Sequence, residues 1–124
     1  MKKVLLSIPL ALLLFAACRK TSNPAVFDLG VDIQSSFEKD NVQVFIDNQP
    51  LFNTKVSSSP LLGLASSIST ANTEGYHTIK VVVNDSTVNT ESFMQGGDLY
   101  IGVNYNRSTK VVSFIYSEKG FMYY

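Results

Sequence analysis

His77 is the only histidine in this 124-residue chain, so serine–histidine or cysteine–histidine catalysis would depend on it. The G-x-S-x-G turn that presents a hydrolase serine is absent. His77 shares the parity of Ile79 and Val81 in an apolar run, which places it on the core-facing side at the start of a strand. We therefore expect a histidine at the rim of a hydrophobic core, hydrogen-bonded to a loop, rather than a catalytic residue.

Cys18 is the only cysteine, so the chain cannot form an internal disulfide. Two lysines precede the mostly apolar residues 4–17, a pattern typical of a secretory signal. The run is shorter than the about 20 apolar residues of a membrane-spanning helix. With Ala16 and Ala17 directly before Cys18, and Phe15 where a leucine is usual, the segment resembles the lipobox of bacterial lipoproteins.

This resemblance implies that a signal peptide, residues 1–17, is removed and that Cys18 carries a diacylglyceryl group and an acylated amine. Two or three acyl chains would anchor the protein stably in a membrane. The polar residues after Cys18 are typical of a tether, so residues 18–25 are expected to be a lipidated tether. Some surface-exported members of that family carry acidic residues directly after the cysteine. Because Arg19 and Lys20 are basic, the resemblance implies a periplasm-facing cell-envelope location rather than surface exposure. The alternative is an ordinary secretory signal, with Cys18 a bystander.

The charge balance excludes a nucleic-acid partner. Without Lys2 and Lys3, eight basic residues face ten acidic ones, and no basic stripe is present. One histidine and one cysteine cannot form a zinc site of the usual kinds. Asp28 and Asp32 share a strand face about 13 Å apart, too far for joint chelation or for a retaining-glycosidase pair.

Three further aspartates, Asp47, Asp85 and Asp98, lie near predicted turns and are interpreted as solvated turn residues, with convergence at one end of the domain as the alternative. No glycine-rich phosphate loop is present, because Gly96-Gly97 is a lone pair before a strand. We therefore predict no metal, no cofactor and no enzymatic activity.

Period-two alternation of apolar and polar residues predicts short β-strands along the chain. The clearest runs are residues 26–33, 41–47, 76–83 and 98–105, and residues 109–117 form a further run that is apolar on both faces. Asn, Asp or Gly turns lie between these runs. Residues 26–124 are thus predicted to form an all-β domain, a single antiparallel β-sandwich of about seven to eight short strands.

Two segments are less regular. Residues 58–69 are predicted to be irregular or strand-like, with a helix starting at Ser59 as the weaker alternative. Residues 121–124 are expected to add a short final strand.

Two stretches resemble recurring pieces of small bacterial immunoglobulin-like modules of the PEGA kind. They are VQVFIDNQPLFN, starting at Val42, and GYHTIKVVV (75–83), and the matching positions are Val42, Val44, Ile46, Asp47, Asn48, Gly75, His77 and Val81. The four-letter core that names the family is absent. The resemblance implies an immunoglobulin-like, non-catalytic accessory module on the cell envelope.

Four aromatic residues alternate with core-facing residues along their strands and are therefore expected to face outward: Phe45, Tyr100, Phe114 and Tyr116. If their strands lie side by side, they form an outer patch that could stack on sugars or contact a protein. The alternative is that both faces of these strands are buried, or that residues 57–73 cover them. The chain has no tryptophan, which makes a sugar platform less favoured.

These features favour a membrane-anchored, non-enzymatic envelope lipoprotein that binds another envelope protein or supports an assembly. Strand addition at a sheet edge is the expected binding mode. The alternative is a lipoprotein that binds a glycan or another small ligand through the outer aromatics.

Overall fold

The protein is described here by a computed structural model covering residues 24–123, which form eight strands in two four-stranded sheets. In chain order the strands are β1 (Val26–Ile33), β2 (Asp40–Ile46), β3 (Gln49–Val56), β4 (Ser66–Thr73), β5 (Gly75–Val83), β6 (Thr87–Gln95), β7 (Leu99–Asn106) and β8 (Val111–Ser117). The predicted all-β sandwich is confirmed.

The strand order is β4-β1-β7-β8 in one sheet and β3-β2-β5-β6 in the other. One pair departs from the expected antiparallel arrangement, because β1 and β7 run parallel, with Leu29 opposite Leu99. The order also differs from that of immunoglobulin constant domains, where the first two strands share a sheet. Here β1 and β2 lie in opposite sheets.

The core lies between the sheets and follows the alternation of the sequence. Val42 and Val44 of β2 and Val81 of β5 are fully buried, whereas the residues between them face outward. β-Branched side chains suit such a pleated, one-sided surface. The period-two pattern therefore identified the inner face of the central strands correctly.

The predicted turns are confirmed by their backbone conformation. Asp47 and Asn48 both have positive φ, 50° and 66°, as a two-residue type I′ hairpin turn requires. Asn84 and Asp85 also have positive φ, at 54° and 58°. Asn and Asp tolerate this region better than other non-glycine residues.

Three strands, β3, β4 and β6, lie outside the alternating runs, because their sequences are rich in polar residues. Residues 58–65 form no strand or helix and β4 begins at Ser66, so the irregular or strand-like interpretation of 58–69 is confirmed. The prediction of a final strand at 121–124 is wrong for the described residues of that segment, because residues 121–123 lie in no strand. That segment lies against one sheet, where the Tyr123 hydroxyl donates to Asp32 Oδ2 at 2.6 Å.

Candidate functional site, an unprotected sheet edge

Each sheet ends in two edge strands, whose unpaired backbone groups can accept a further strand unless something prevents it. β3 is protected in three ways. Pro50 removes a donor near its start, Lys55 adds a charge, and the β2–β3 register shifts between Val44 and Phe45.

The edges of β6 and β8 protect each other across the sandwich. Asn89 Oδ1 on β6 accepts the Val112 N–H of β8 at 3.0 Å. The Tyr116 hydroxyl of β8 donates to Glu91 of β6 at 2.8 Å, and the ring of Phe93 lies 6.3 Å from that of Tyr116. Burial, and then the nearby Glu91 carboxylate, raise the pKa of Tyr116. A capped N–H and an inward-pointing carboxylate both discourage strand addition.

Among the four edge strands of residues 24–123, β4 alone carries none of these features. Its sequence, SSISTANT, contains no charged residue and no proline, and its pairing with β1 runs in register over eight residues. Its alternating burial leaves every second residue exposed. β4 is therefore the edge best suited to pairing with another chain.

The register identifies which groups of β4 point outward. The Glu74 N–H donates to the Ala25 carbonyl at 2.9 Å, so these residues form a hydrogen-bonded pair. Such pairs alternate along an antiparallel ladder. The N–H and C=O groups of Ser67, Ser69 and Ala71 therefore point away from β1, toward the open side of the sheet.

The last outward carbonyl of β4 is occupied by the histidine. His77 Nε2 lies 2.7 Å from the Thr73 carbonyl oxygen, and His77 Nδ1 lies 2.5 Å from Asp47 Oδ2. Asp47 also accepts the Thr78 N–H at 2.9 Å. The expectation of a rim histidine bonded to a loop is confirmed. His77 fixes the end of β4 to the β2–β3 turn.

The charge state of this pair follows from its partners. Both ring nitrogens face an acceptor, and only an imidazolium has a donor on each. Burial opposes that charge, but the hydrogen bonds to Asp47 and to the Thr73 carbonyl, together with the Asp47 charge, outweigh it, so the pKa of His77 is raised. Burial alone would raise the pKa of the Asp47 carboxyl. The hydrogen bonds from His77 and Thr78 lower it overall. The two groups stabilise each other as an ion pair.

The four aromatic residues do not form one patch. Phe45 and Tyr100 belong to different sheets. Phe114 and Tyr116 lie opposite the buried Val103 and Ile101, so they face inward, toward the core. The expectation of a shared outer face is wrong. Which residues of β8 face the core depends on how β8 pairs with β7, and the sequence did not show that register.

The two outward aromatics have local packing partners. The Tyr100 ring lies over Gly30, where an added Cβ would approach Tyr100 Cδ1 to 2.6 Å. Lys80 Nζ lies 4.5 Å from the centroid of the Phe45 ring, a cation–π contact. These contacts account for both side chains without a ligand.

Asp40 joins several loops at the end of the sandwich opposite Asp47. Its carboxylate accepts from the Glu38 N–H and Asn84 Nδ2, each at 2.8 Å, and from Arg107 at 2.6 Å. Burial raises its pKa, but these bonds and the Arg107 charge lower it overall.

The three turn aspartates do not converge. Asp47 pairs with His77, Asp85 accepts from Gln43 at 3.0 Å, and Asp98 accepts the Asp28 N–H at 2.9 Å. Within residues 24–123, no three His, Cys, Asp or Glu side chains are grouped as a metal site would require.

A polar network on the outer face of β1 was missed by sequence reasoning. The carboxylate of Asp32 accepts from the Ser67 and Tyr123 hydroxyls, and Tyr123 in turn accepts from Gln34 Nε2 at 3.0 Å. Burial and the Asp32 hydrogen bond raise the pKa of Tyr123 to about 12. Polar residues on the outer face of a strand are normally exposed to solvent, so the alternating pattern gave no sign of this network.

Cys18 and residues 1–17 lie outside the described residues, so the lipid site stays a prediction. Over residues 24–123, the fold contains no helix with the length and apolarity needed to cross a bilayer. No family model matches the chain, and no curated protein matches it either.

Proposed function

We propose that this protein is a lipid-anchored, non-enzymatic module of the bacterial cell envelope that binds an extended protein segment along β4. The anchor part is supported by the lipobox-like Ala16-Ala17-Cys18 after a short apolar run. The binding part is supported by one observation above all, the uncharged and unprotected edge of β4.

Strand addition gives affinity through main-chain hydrogen bonds. Ser67, Ser69 and Ala71 each offer an outward N–H and C=O, so an added strand gains up to six such bonds. The side chains of these residues are small, and a partner backbone can approach without displacing them. Selectivity would come from side chains that pack beside β4.

A non-catalytic role is supported by the engagement of the polar side chains. Both nitrogens of His77 face acceptors, which leaves no lone pair for a general base. Asp40 and Asp32 hold structural hydrogen bonds to neighbouring loops and strands. No observation favours glycan binding, because the four aromatic residues are dispersed.

The anchor is tested by the Cys18→Ala variant of the full chain, expressed in its own cell. The unchanged chain should partition into the detergent phase with the membranes, and Cys18→Ala should remain in the aqueous phase. Mass spectrometry of the N-terminal peptide supplies the control, because it should show a lipid-modified Cys18. An unmodified Cys18 in the membrane fraction would overturn the anchor.

The edge is tested by a photoreactive p-benzoylphenylalanine in place of Ser67, with the same group in place of the exposed Thr90 of β6 as the matched control. We expect one dominant protein to be captured from position 67 and not from position 90. Capture should be lost in Ser69→Pro, which removes an outward N–H, and retained in Ser69→Thr. Equal capture from both positions, or indifference to Ser69→Pro, would overturn the assignment.

A further inference from the structure

We infer that the segment that pairs with β4 is the β4 strand of a second copy of this chain, giving a two-fold symmetric dimer with a continuous eight-stranded sheet. The inference rests on the proposed function and names the partner of the same edge. A two-fold interface must be self-complementary, which is a strict condition on a single strand. β4 meets it in its backbone, its side chains and its charge.

The backbone condition is met by centring the symmetry axis on Ser69. Ser69 then lies opposite its own copy, and Ser67 lies opposite the partner's Ala71. All these residues present outward N–H and C=O groups, so every donor meets an acceptor in an antiparallel ladder. The three resulting pairs supply six inter-copy hydrogen bonds.

The side chains are compatible in the same register. On the outer face, serine and alanine lie opposite each other and leave no gap that a large side chain would have to fill. On the inner face, Ile68 comes to lie beside the partner's Thr70, a pair of β-branched residues of the kind favoured across strands. Because β4 contains no charge, no like-charged pair arises.

The other edges do not meet these conditions. β3 contains Pro50 and Lys55, and an outward-pointing N–H of β8, that of Val112, is already bonded to Asn89. β6 carries Glu91, whose carboxylate holds the Tyr116 hydroxyl. Self-pairing is thus directed to β4.

The predicted tether permits two anchored copies to pair in one membrane. In a continuous antiparallel sheet, the two-fold axis is perpendicular to the sheet, so with that axis along the membrane normal both copies of β1 begin at the same height. Arg19 to Ala25 comprise seven residues, which reach about 24 Å when extended. Both acylated ends can therefore reach the same leaflet.

The size of the contact determines where the dimer forms. One pair of short edge strands buries far less than the about 1,200–2,000 Å² of a stable soluble interface. Confinement of both copies to one membrane raises their effective concentration and compensates for the small area. We therefore expect dimers on the membrane rather than in dilute solution.

The test is zero-length cross-linking of the full chain in its own membranes with copper phenanthroline. Hydrogen-bonded partners across an antiparallel ladder have Cα atoms about 5.5 Å apart, within disulfide range. Ser69→Cys should give a covalent dimer, and the exposed-edge control Thr90→Cys should not. The unsubstituted chain, treated identically, shows whether Cys18 contributes.

The outcomes separate the inference from the proposed function. A dimer with Ser69→Cys that disappears when Ala71→Pro is added supports self-pairing. Equal dimer yields from Ser69→Cys and Thr90→Cys would overturn it. If Ser69→Cys gives no dimer while the photoreactive group at position 67 captures a different protein, self-pairing is wrong and strand addition stands. If neither position captures anything, both are wrong.

Discussion

Individual side chains in this protein act mainly as connectors between segments that are distant in sequence. His77 joins the carbonyl of Thr73 to the carboxylate of Asp47, thirty residues earlier in the chain. Gln34 and Asn104 are linked across the β1–β7 pair by a 2.8 Å hydrogen bond. Stability at this scale depends on whether each polar group keeps its partner, since an orphaned buried group costs about 1–3 kcal/mol.

The stabilisation from the His77–Asp47 pair should be lost as the pH rises above the ordinary histidine pKa of about 6.5. The pKa of His77 is raised by folding. Its contribution is therefore complete below its unfolded pKa of about 6.5 and is lost as the pH rises through the folded pKa. Asp47 is 45% exposed, so we expect about 1 kcal/mol or less. Urea unfolding at several pH values should show this slope, and His77→Gln should abolish it. An unchanged slope would contradict the ion pair.

Gly102 is expected to be intolerant of any side chain. An added Cβ would lie 2.5 Å from Gln34 Oε1 and 2.7 Å from Ile115 Cγ1. Gln34 cannot move without losing its bonds to Asn104 and Tyr123. Gly102→Ala should therefore lower the free energy of unfolding by about 1–3 kcal/mol.

The control for this prediction is Gly96→Ala, because nothing lies within 4 Å of its added Cβ and its φ is not positive. It should change the free energy of unfolding by less than about 0.5 kcal/mol. Equal effects of the two substitutions in denaturant titrations would contradict the close packing at Gly102.

At the scale of elements, strands with alternating apolar residues were predictable, and the polar ones were not. β2 and β5 bury strongly apolar faces, so their pattern is clear. β3 and β6 are edge strands that expose much of their surface, so the hydrophobic effect imposes little alternation on them. The candidate site, β4, belongs to this second class, and only its lack of charge was visible in the sequence.

Proline substitutions in β4 should distinguish its two hydrogen-bonding sides. Ser69 directs its N–H outward, so Ser69→Pro removes no bond of the fold and should shift Tm by only a few degrees. Thr70 directs its N–H to β1. Thr70→Pro therefore removes a hydrogen bond between β4 and β1 and disturbs the backbone where the two strands pair. We expect Thr70→Pro to lower Tm by about 10 °C or more, because each kcal/mol of lost stability lowers the Tm of a domain this size by about 4–8 °C. Thermal circular dichroism measures both, and equal losses would contradict the register.

At the scale of the whole molecule, two polar clusters close the ends of the sandwich. At one end, Asp40 holds the loops that carry Glu38, Asn84 and Arg107. At the other, fully buried Gln95 accepts from Asn72 and donates to the carbonyls of Asp28 and Gly97, which connects the two sheets. Apolar burial fills the centre, and these clusters fix how the ends meet.

Asp40 should make the whole domain sensitive to acid. Its pKa is lowered by folding, so its contribution is present above the unfolded value of 3.8 and is lost as the pH falls through the folded pKa. Asp40→Asn should lower the free energy of unfolding at pH 7 by about 1–3 kcal/mol. It should also reduce the dependence of that free energy on pH in the acid range. Asp85→Asn, at an exposed turn, is the matched control. An Asp40→Asn protein as stable as the parent at pH 7 would refute the role of Asp40.

The sequence by itself determined the all-β class, the inner face of the central strands, the positions of the turns and the rim histidine. Alternation and turn residues are local consequences of the pleat and of positive φ, so they can be read from neighbouring residues. The tertiary structure decided the parallel β1–β7 pair, the inward direction of Phe114 and Tyr116, the network around Asp32 and the open edge at β4. Those features depend on which distant strands become neighbours, and that is fixed by packing of the two sheets as a whole.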